Sequence, residues 1–261
     1  MFVALSPIGR ADSLGHGTVS VLHVKSADHD VAIRDVWVYR PAVPDSKNLP
    51  VVYFLHGLPG KASDFFTAGG AHVLDALFAA GTPPFVLAAP TGIGYAHYDT
   101  EWADSHDRRD LLETYILKNV IPAVEGANRR DAKHRIIAGF SMGGYGAANL
   151  AIRNPTVFSA AACFAGYFKI DDPSNVFANI PLLRIANDPE LLVPYSHGVR
   201  FWLGVGASDL EPVVQGQAQH FAKLAGTRVP PHDLVIAPGT HSWSFVMAHV
   251  KDMANFVAYV A

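Results

Sequence analysis

The chain has 261 residues, half of them hydrophobic, 16% charged, with a net charge of -3 and one cysteine. That balance supports a sizeable core and one α/β domain over 1–261, or two smaller ones. It gives no sign of a nucleic-acid partner, because no basic run exceeds two residues. A lone Cys163 excludes an internal disulfide framework and a cysteine-based metal site, and its setting, Ala160-Ala161-Ala162-Cys163-Phe164, reads as buried packing.

No stretch reaches the roughly 18 apolar residues of a membrane span. The segment Met1 to Pro7 is too short, and lacks the charged start, for a secretory signal. As written, a cytoplasmic chain is expected, or a secreted one if a signal peptide has been removed.

In chain order, Thr18 to Lys25 and Ile33 to Arg40 read as two strands joined by a polar turn at 27–30. Val51 to Leu55 is an unbroken β-branched and aromatic run, as in a strand buried on both faces, and it ends in the loop His56-Gly57-Leu58-Pro59-Gly60. Ala71 to Ala80 predicts a helix closed by Gly81, and Phe85 to Ala89 a strand stopped by Pro90. Asp110 to Glu125 keeps the helical period. Ile136 to Gly139 and Ser159 to Ala165 predict strands on either side of a helix, Tyr145 to Arg153. The segment Lys169 to His197, rich in Pro, Asn and Asp, interrupts the rhythm and reads as an irregular excursion over the active-site edge. Phe201 to Gly206 and Leu234 to Ala237 predict strands, Val213 to Leu224 and Trp243 to Tyr259 helices. Strands alternating with helices imply a mostly parallel sheet covered on both faces.

Residues 139–143 read Gly139-Phe140-Ser141-Met142-Gly143, a G-x-S-x-G pattern set between a predicted strand and a predicted helix. In that setting the turn is a nucleophile elbow, with the serine hydroxyl exposed on a strained backbone. A serine needs a base, and the base needs a carboxylate. On this scaffold they follow the serine in the order acid, then histidine, each after a strand. His241, in the loop after the last predicted strand, fits the base; His56 lies upstream and does not. The acid falls after Phe201 to Gly206, where Asp209 and Glu211 both qualify; Asp209 lies nearer the strand end. An oxyanion needs two N–H donors: Met142 supplies one and Leu58 the other, since Pro59 has no N–H. His16, His23 and His29 lack ligand spacing, so no metal site is expected, and no cofactor is implied.

Several stretches together are similar to the esterase D-like branch of the α/β-hydrolases. They are Leu55-His56-Gly57-Leu58, Tyr98-Asp99-Thr100-Glu101-Trp102, Glu113 to Ile116, Ile121 to Glu125, Ala138 to Gly144 and Gly239 to Trp243. That branch holds S-formylglutathione hydrolases, feruloyl and acetyl-xylan esterases, and secreted mycolyltransferases. The resemblance implies an α/β-hydrolase fold and a serine carboxylesterase acting on a small-molecule ester. Ser141 would be the nucleophile, His241 the base, Asp209 the acid, and Leu58 and Met142 the oxyanion donors. Trp243, and Trp102 in the Tyr98 to Trp102 stretch, are candidate substrate contacts. The mycolyltransferases have an Asp before the oxyanion-loop Gly and an Arg after the donor Leu. Here those places hold His56 and Pro59, which favours hydrolysis over acyl transfer to a sugar. A non-catalytic binding protein on the same scaffold is the third reading.

Overall fold

Five apolar runs that show no polar face become the centre of one eight-stranded sheet. The computed structural model describes residues 15–28, 30–44, 47–209 and 212–261. The N-terminal segment, His29 and Glu211 therefore lie outside the described residues. The sheet holds β1 (Gly15–Lys25), β2 (Ile33–Ala42), β3 (Val51–Leu55), β4 (Val86–Pro90), β5 (Arg135–Phe140), β6 (Ala160–Phe164), β7 (Arg200–Gly206) and β8 (Leu234–Ala237). Every residue of β3, β4, β5 and β6 is buried, as is all of β7 beyond Arg200. Continuous apolar composition suits a strand covered on both faces.

The spatial order is β1-β2-β4-β3-β5-β6-β7-β8. β1 and β2 form an antiparallel hairpin, and β2 joins β4 antiparallel. From β4 through β8 every pairing is parallel. Parallel strands send all their following loops to one edge, where α/β sheets keep their sites. The loops at 56–60, 141, 165–168, 207–209 and 238–242 leave from that edge.

Between the strands lie α1 (Asp64–Thr67), α2 (Gly70–Ala79), α3 (Leu112–Tyr115), α4 (Ile121–Glu125), α5 (Met142–Arg153), α6 (Pro181–Ala186), α7 (Pro189–Leu192), α8 (Pro212–Ala225), α9 (Trp243–Ala248) and α10 (Val250–Val260). α5 packs on β3, β5 and β6 and is buried from Met142 to Ile152; α8 lies on β7 and β8, and α10 on β6 and β7. None of the described helices is long and apolar enough to cross a membrane.

Two predicted helices are broken. The segment expected as one helix over Asp110 to Glu125 contains a wider turn, Ile116–Val120, between α3 and α4. Pro122 has no N–H for the Lys118 carbonyl, so the regular ladder cannot run through it. The C-terminal helix divides at His249, which leaves helical geometry (φ -112°, ψ 10°). Its ring packs on Phe245, and its Nδ1 donates to Asp252 Oδ2 at 2.7 Å. β4 also extends through Pro90, a strand-end position where a missing N–H is tolerated.

The excursion at 169–197 carries α6, α7 and the short turn Val193–Tyr195. Val176 and Phe177 are buried with Ala103 in a small apolar cluster of their own.

Candidate active site

Ser141 sits between β5 and α5 at φ 58°, ψ -120°. A non-glycine residue reaches that region only where its surroundings enforce it. Here close packing does so. A Cβ on Gly139 would lie 2.2 Å from the Gly143 carbonyl oxygen, and one on Gly143 would lie 2.1 Å from the Leu55 carbonyl oxygen. The two glycines of the motif let β5, the first turn of α5 and the end of β3 approach to backbone contact. The Ser141 N–H donates to Phe164 O at 2.9 Å, tying the turn to β6.

The serine hydroxyl meets an imidazole. His241 Nε2 lies 2.8 Å from Ser141 Oγ, and His241 Nδ1 lies 3.1 Å from Asp209 Oδ2. The Asp209 side chain is 1% exposed and the His241 side chain 24% exposed, so the carboxylate lies behind a ring that still reaches solvent. Three backbone bonds hold the Asp209 loop: Ala207 N to Ala237 O, Ser208 N to Gly239 O, and Asp209 N to Gly206 O. A Cβ on Gly206 would sit 2.5 Å from the Gly239 carbonyl oxygen, so this glycine lets the loops after β7 and β8 touch. Phe140 packs on the imidazole with ring centroids 4.8 Å apart. The arrangement can pass a proton from a hydroxyl to an imidazole that a carboxylate orients.

Beside the serine, a Cβ on Gly57 would lie 3.0 Å from both Phe140 O and Ser141 Cβ. The Gly57-Leu58 backbone thus runs against the turn. Met142 is the first residue of α5, and N–H groups in a first helical turn lack intrahelical partners.

His56 is buried, and both its nitrogens serve backbone groups. Nδ1 donates to Gly57 O at 2.8 Å, and Nε2 accepts from Gly92 N–H at 2.9 Å. Burial pushes its pKa down to about 4, so it is neutral at ordinary pH. It links the loop after β3 to the loop after β4.

The two tryptophans differ. Trp102 was expected to touch substrate, and the structure corrects this: its side chain is fully buried. Its indole N–H donates to His56 O at 3.1 Å, and a Cβ on Gly146 would strike its ring. It supports the loop after β3 from beneath. Trp243 is half-buried, beside Phe140 at 5.3 Å and Phe54 at 6.0 Å.

One buried group escaped the sequence reading. Glu101 is fully buried, and burial, with Asp99 nearby, pushes its pKa up to about 8. The Tyr167 hydroxyl donates to its Oε2, while Oε1 has no hydrogen-bond partner among the described residues. Tyr167 stacks on Tyr145 of α5. The neighbouring Trp102 draws attention as an aromatic, whereas nothing in the composition of 98–102 marks the glutamate as buried.

Residues 32–250 match the family model described as "Putative esterase". Among curated proteins, the chain is 31% identical over 162 residues to "Putative esterase NocK" of Nocardia uniformis subsp. tsuyamanensis, covering 59% of this chain and 43% of that one. The chain spans about two fifths of the length of the curated relatives it matches. Among solved structures, a ferulic acid esterase superposes with a TM-score of 0.80 at 22% identity, over 94% of this chain and 99% of the other. An S-formylglutathione hydrolase from Agrobacterium tumefaciens gives 0.74 at 18% identity, over 94% and 96%. These likenesses show the α/β-hydrolase fold.

Proposed function

The chain belongs to this esterase family, and from that premise we propose that it is a serine carboxylesterase working on a small-molecule ester through an acyl-enzyme. The observation that carries the reading is the hydrogen-bonded line from Ser141 Oγ through His241 to Asp209. Ser141 Oγ attacks the ester carbonyl carbon as His241 Nε2 takes its proton. The carbonyl oxygen becomes an oxyanion held by the N–H groups of Leu58 and Met142. His241 then returns the proton to the departing alkoxide, leaving Ser141 acylated. A water, deprotonated by His241, attacks the acyl carbon and frees the acid and the serine. Asp209 holds the Nδ1–H tautomer and stabilises the imidazolium in each half-reaction. Trp243, half-buried beside Phe140, borders the histidine and is proposed to contact the substrate.

Acyl transfer to a sugar through the oxyanion loop has weaker support. His56, in the place of the transferases' Asp, is buried with both nitrogens on backbone groups. That leaves it no group to offer a sugar hydroxyl.

A fluorophosphonate probe and a p-nitrophenyl ester series test the reading together. The native protein is expected to take up one probe per chain and release p-nitrophenol, while Ser141→Ala, with unchanged circular dichroism, does neither. Equal labelling of the variant would remove Ser141 from the chemistry.

A further inference from the structure

Two histidines and an aspartate meet where the loop after β4 touches the excursion, at residues the esterase reading does not use. His97 is buried, and its Nδ1 lies 2.9 Å from Ser174 O. His106 Nδ1 lies 3.2 Å from Val176 O, and its backbone N–H donates to the same oxygen at 2.8 Å. A carbonyl oxygen only accepts, so each Nδ1 carries the proton and each Nε2 is the nitrogen able to bind a cation. His97 Nε2 is 3.2 Å from both Asp107 carboxylate oxygens. Ser105 Oγ and the Arg109 N–H donate to Asp107 Oδ1, at 2.7 and 3.1 Å. One ligand-capable atom from each of His97, His106 and Asp107 lies within 4.8 Å of the other two.

We propose that His97, His106 and Asp107 form a site for a borderline divalent cation such as Zn²⁺, completed by water, that cross-links the loop after β4 between residue 97 and residues 106–107. Two imidazoles and one carboxylate are a donor set that such ions prefer over Mg²⁺ or Ca²⁺. Main-chain carbonyls on the far nitrogens fix tautomer and ring direction, as behind most metal-bound histidines. An imidazolium at His97 alone would account for its pairing with Asp107, but it would leave the similarly fixed His106 without a role. A tetrahedral ion about 2.0–2.1 Å from each donor needs them roughly 3.4 Å apart. Asp107 is exposed, and its carboxylate can turn toward the two rings to close that gap. Any proton shared between His97 Nε2 and Asp107 is released to solvent as the ion takes its place. All three ligands lie on the loop after β4, so the ion would cross-link that loop, while the Nδ1 bonds to Ser174 O and Val176 O seat it against the excursion. The sequence expectation of no metal site rests on His16, His23 and His29, none of which belongs to this group.

The test uses the untagged full chain, stripped with a chelator and titrated with Zn²⁺ and separately with Co²⁺. One saturable equivalent is expected by calorimetry, with a visible d–d band for Co²⁺. Zn²⁺ at a hundredfold excess over Kd should raise Tm by about 5 °C, and Mg²⁺ should not. His106→Ala and Asp107→Asn alter exposed positions, and their metal-free Tm and esterase rate should match the native protein. Each should weaken Zn²⁺ binding by more than the about 10- to 100-fold that loss of a supporting group brings. If native protein and both variants titrate alike, or the native protein gives neither band nor Tm shift, the site is only an ion pair and the proposal fails.

Discussion

The loop after β3 and the loop after β8 each present a histidine at the same edge of the sheet, and the two imidazoles do opposite work. His56 gives both nitrogens to backbone partners, Gly57 O and Gly92 N–H, and burial holds it neutral. His241 gives both to side chains, Asp209 and Ser141. Backbone groups cannot exchange protons at useful pH, so His56 can only brace. A hydroxyl and a carboxylate can share one, so His241 can transfer it. The role of a histidine is set by the partners of its two nitrogens more than by its place near a site.

Substituting both histidines separates these roles most widely. His241→Ala is expected to lower kcat/KM by about 10⁴-fold or more, with Tm nearly unchanged, because it removes the proton acceptor. His56→Gln is expected to keep kcat within about tenfold but to lower Tm, since it disturbs a buried hydrogen-bonded group at a penalty of about 1–3 kcal/mol. Ester kinetics and thermal melts on both variants decide it. The reverse pattern would exchange the assignments.

A smaller effect tests the far end of the line. Asp209→Asn should lower kcat by about 10²- to 10⁴-fold, because the amide no longer favours the Nδ1–H tautomer. Glu211→Gln should change it little. If the two swapped rank, the acid would be Glu211 and the 3.1 Å contact of Asp209 would be incidental.

This contrast also marks what could be read from the sequence. The serine turn was legible because its constraint is local: Gly139 and Gly143 are required by contacts within a few residues of Ser141 and with β3. The order of acid and base followed from strand order, which fixes loops at one edge. Asp209 is favoured in the sequence by its nearness to the strand end in a G-x-x-D turn, Gly206 to Asp209; the long-range counterpart of that turn is the contact of Gly206 with Gly239, residues 33 apart in sequence. Trp102 was misjudged because aromatic composition does not say which way a ring faces. At 98–102 the chain turns through positive φ at Glu101 and Trp102 and drives the indole inward. The breaks at Ile116–Val120 and His249 escaped because hydrophobic period survives a local change of pitch.

The smallest effect is in the pH dependence of stability, where His56 and Glu101 pull in opposite directions. His56 falls from 6.5 to about 4 on folding, so between those values the unfolded chain binds more protons and stability rises with pH. Over the whole window that amounts to about 3 kcal/mol, present in full above pH 6.5 and lost toward pH 4. Glu101 rises from 4.5 to about 8, so the folded chain binds more protons and stability falls as pH rises through that range. Between pH 4.5 and 6.5 the two slopes nearly cancel. From 6.5 to 8 Glu101 acts alone and removes about 2 kcal/mol, or roughly 4–8 °C in Tm. Differences in Tm between variant and native protein, measured from pH 4.5 to 8, isolate each group from the other titrating residues. Glu101→Gln should abolish the decline above pH 6.5. His56→Gln should uncover a continuous decline from pH 4.5 upward. A native profile flat above pH 6.5, unchanged in Glu101→Gln, would mean that Glu101 is ionised in the folded protein and that its Tyr167 bond outweighs its burial.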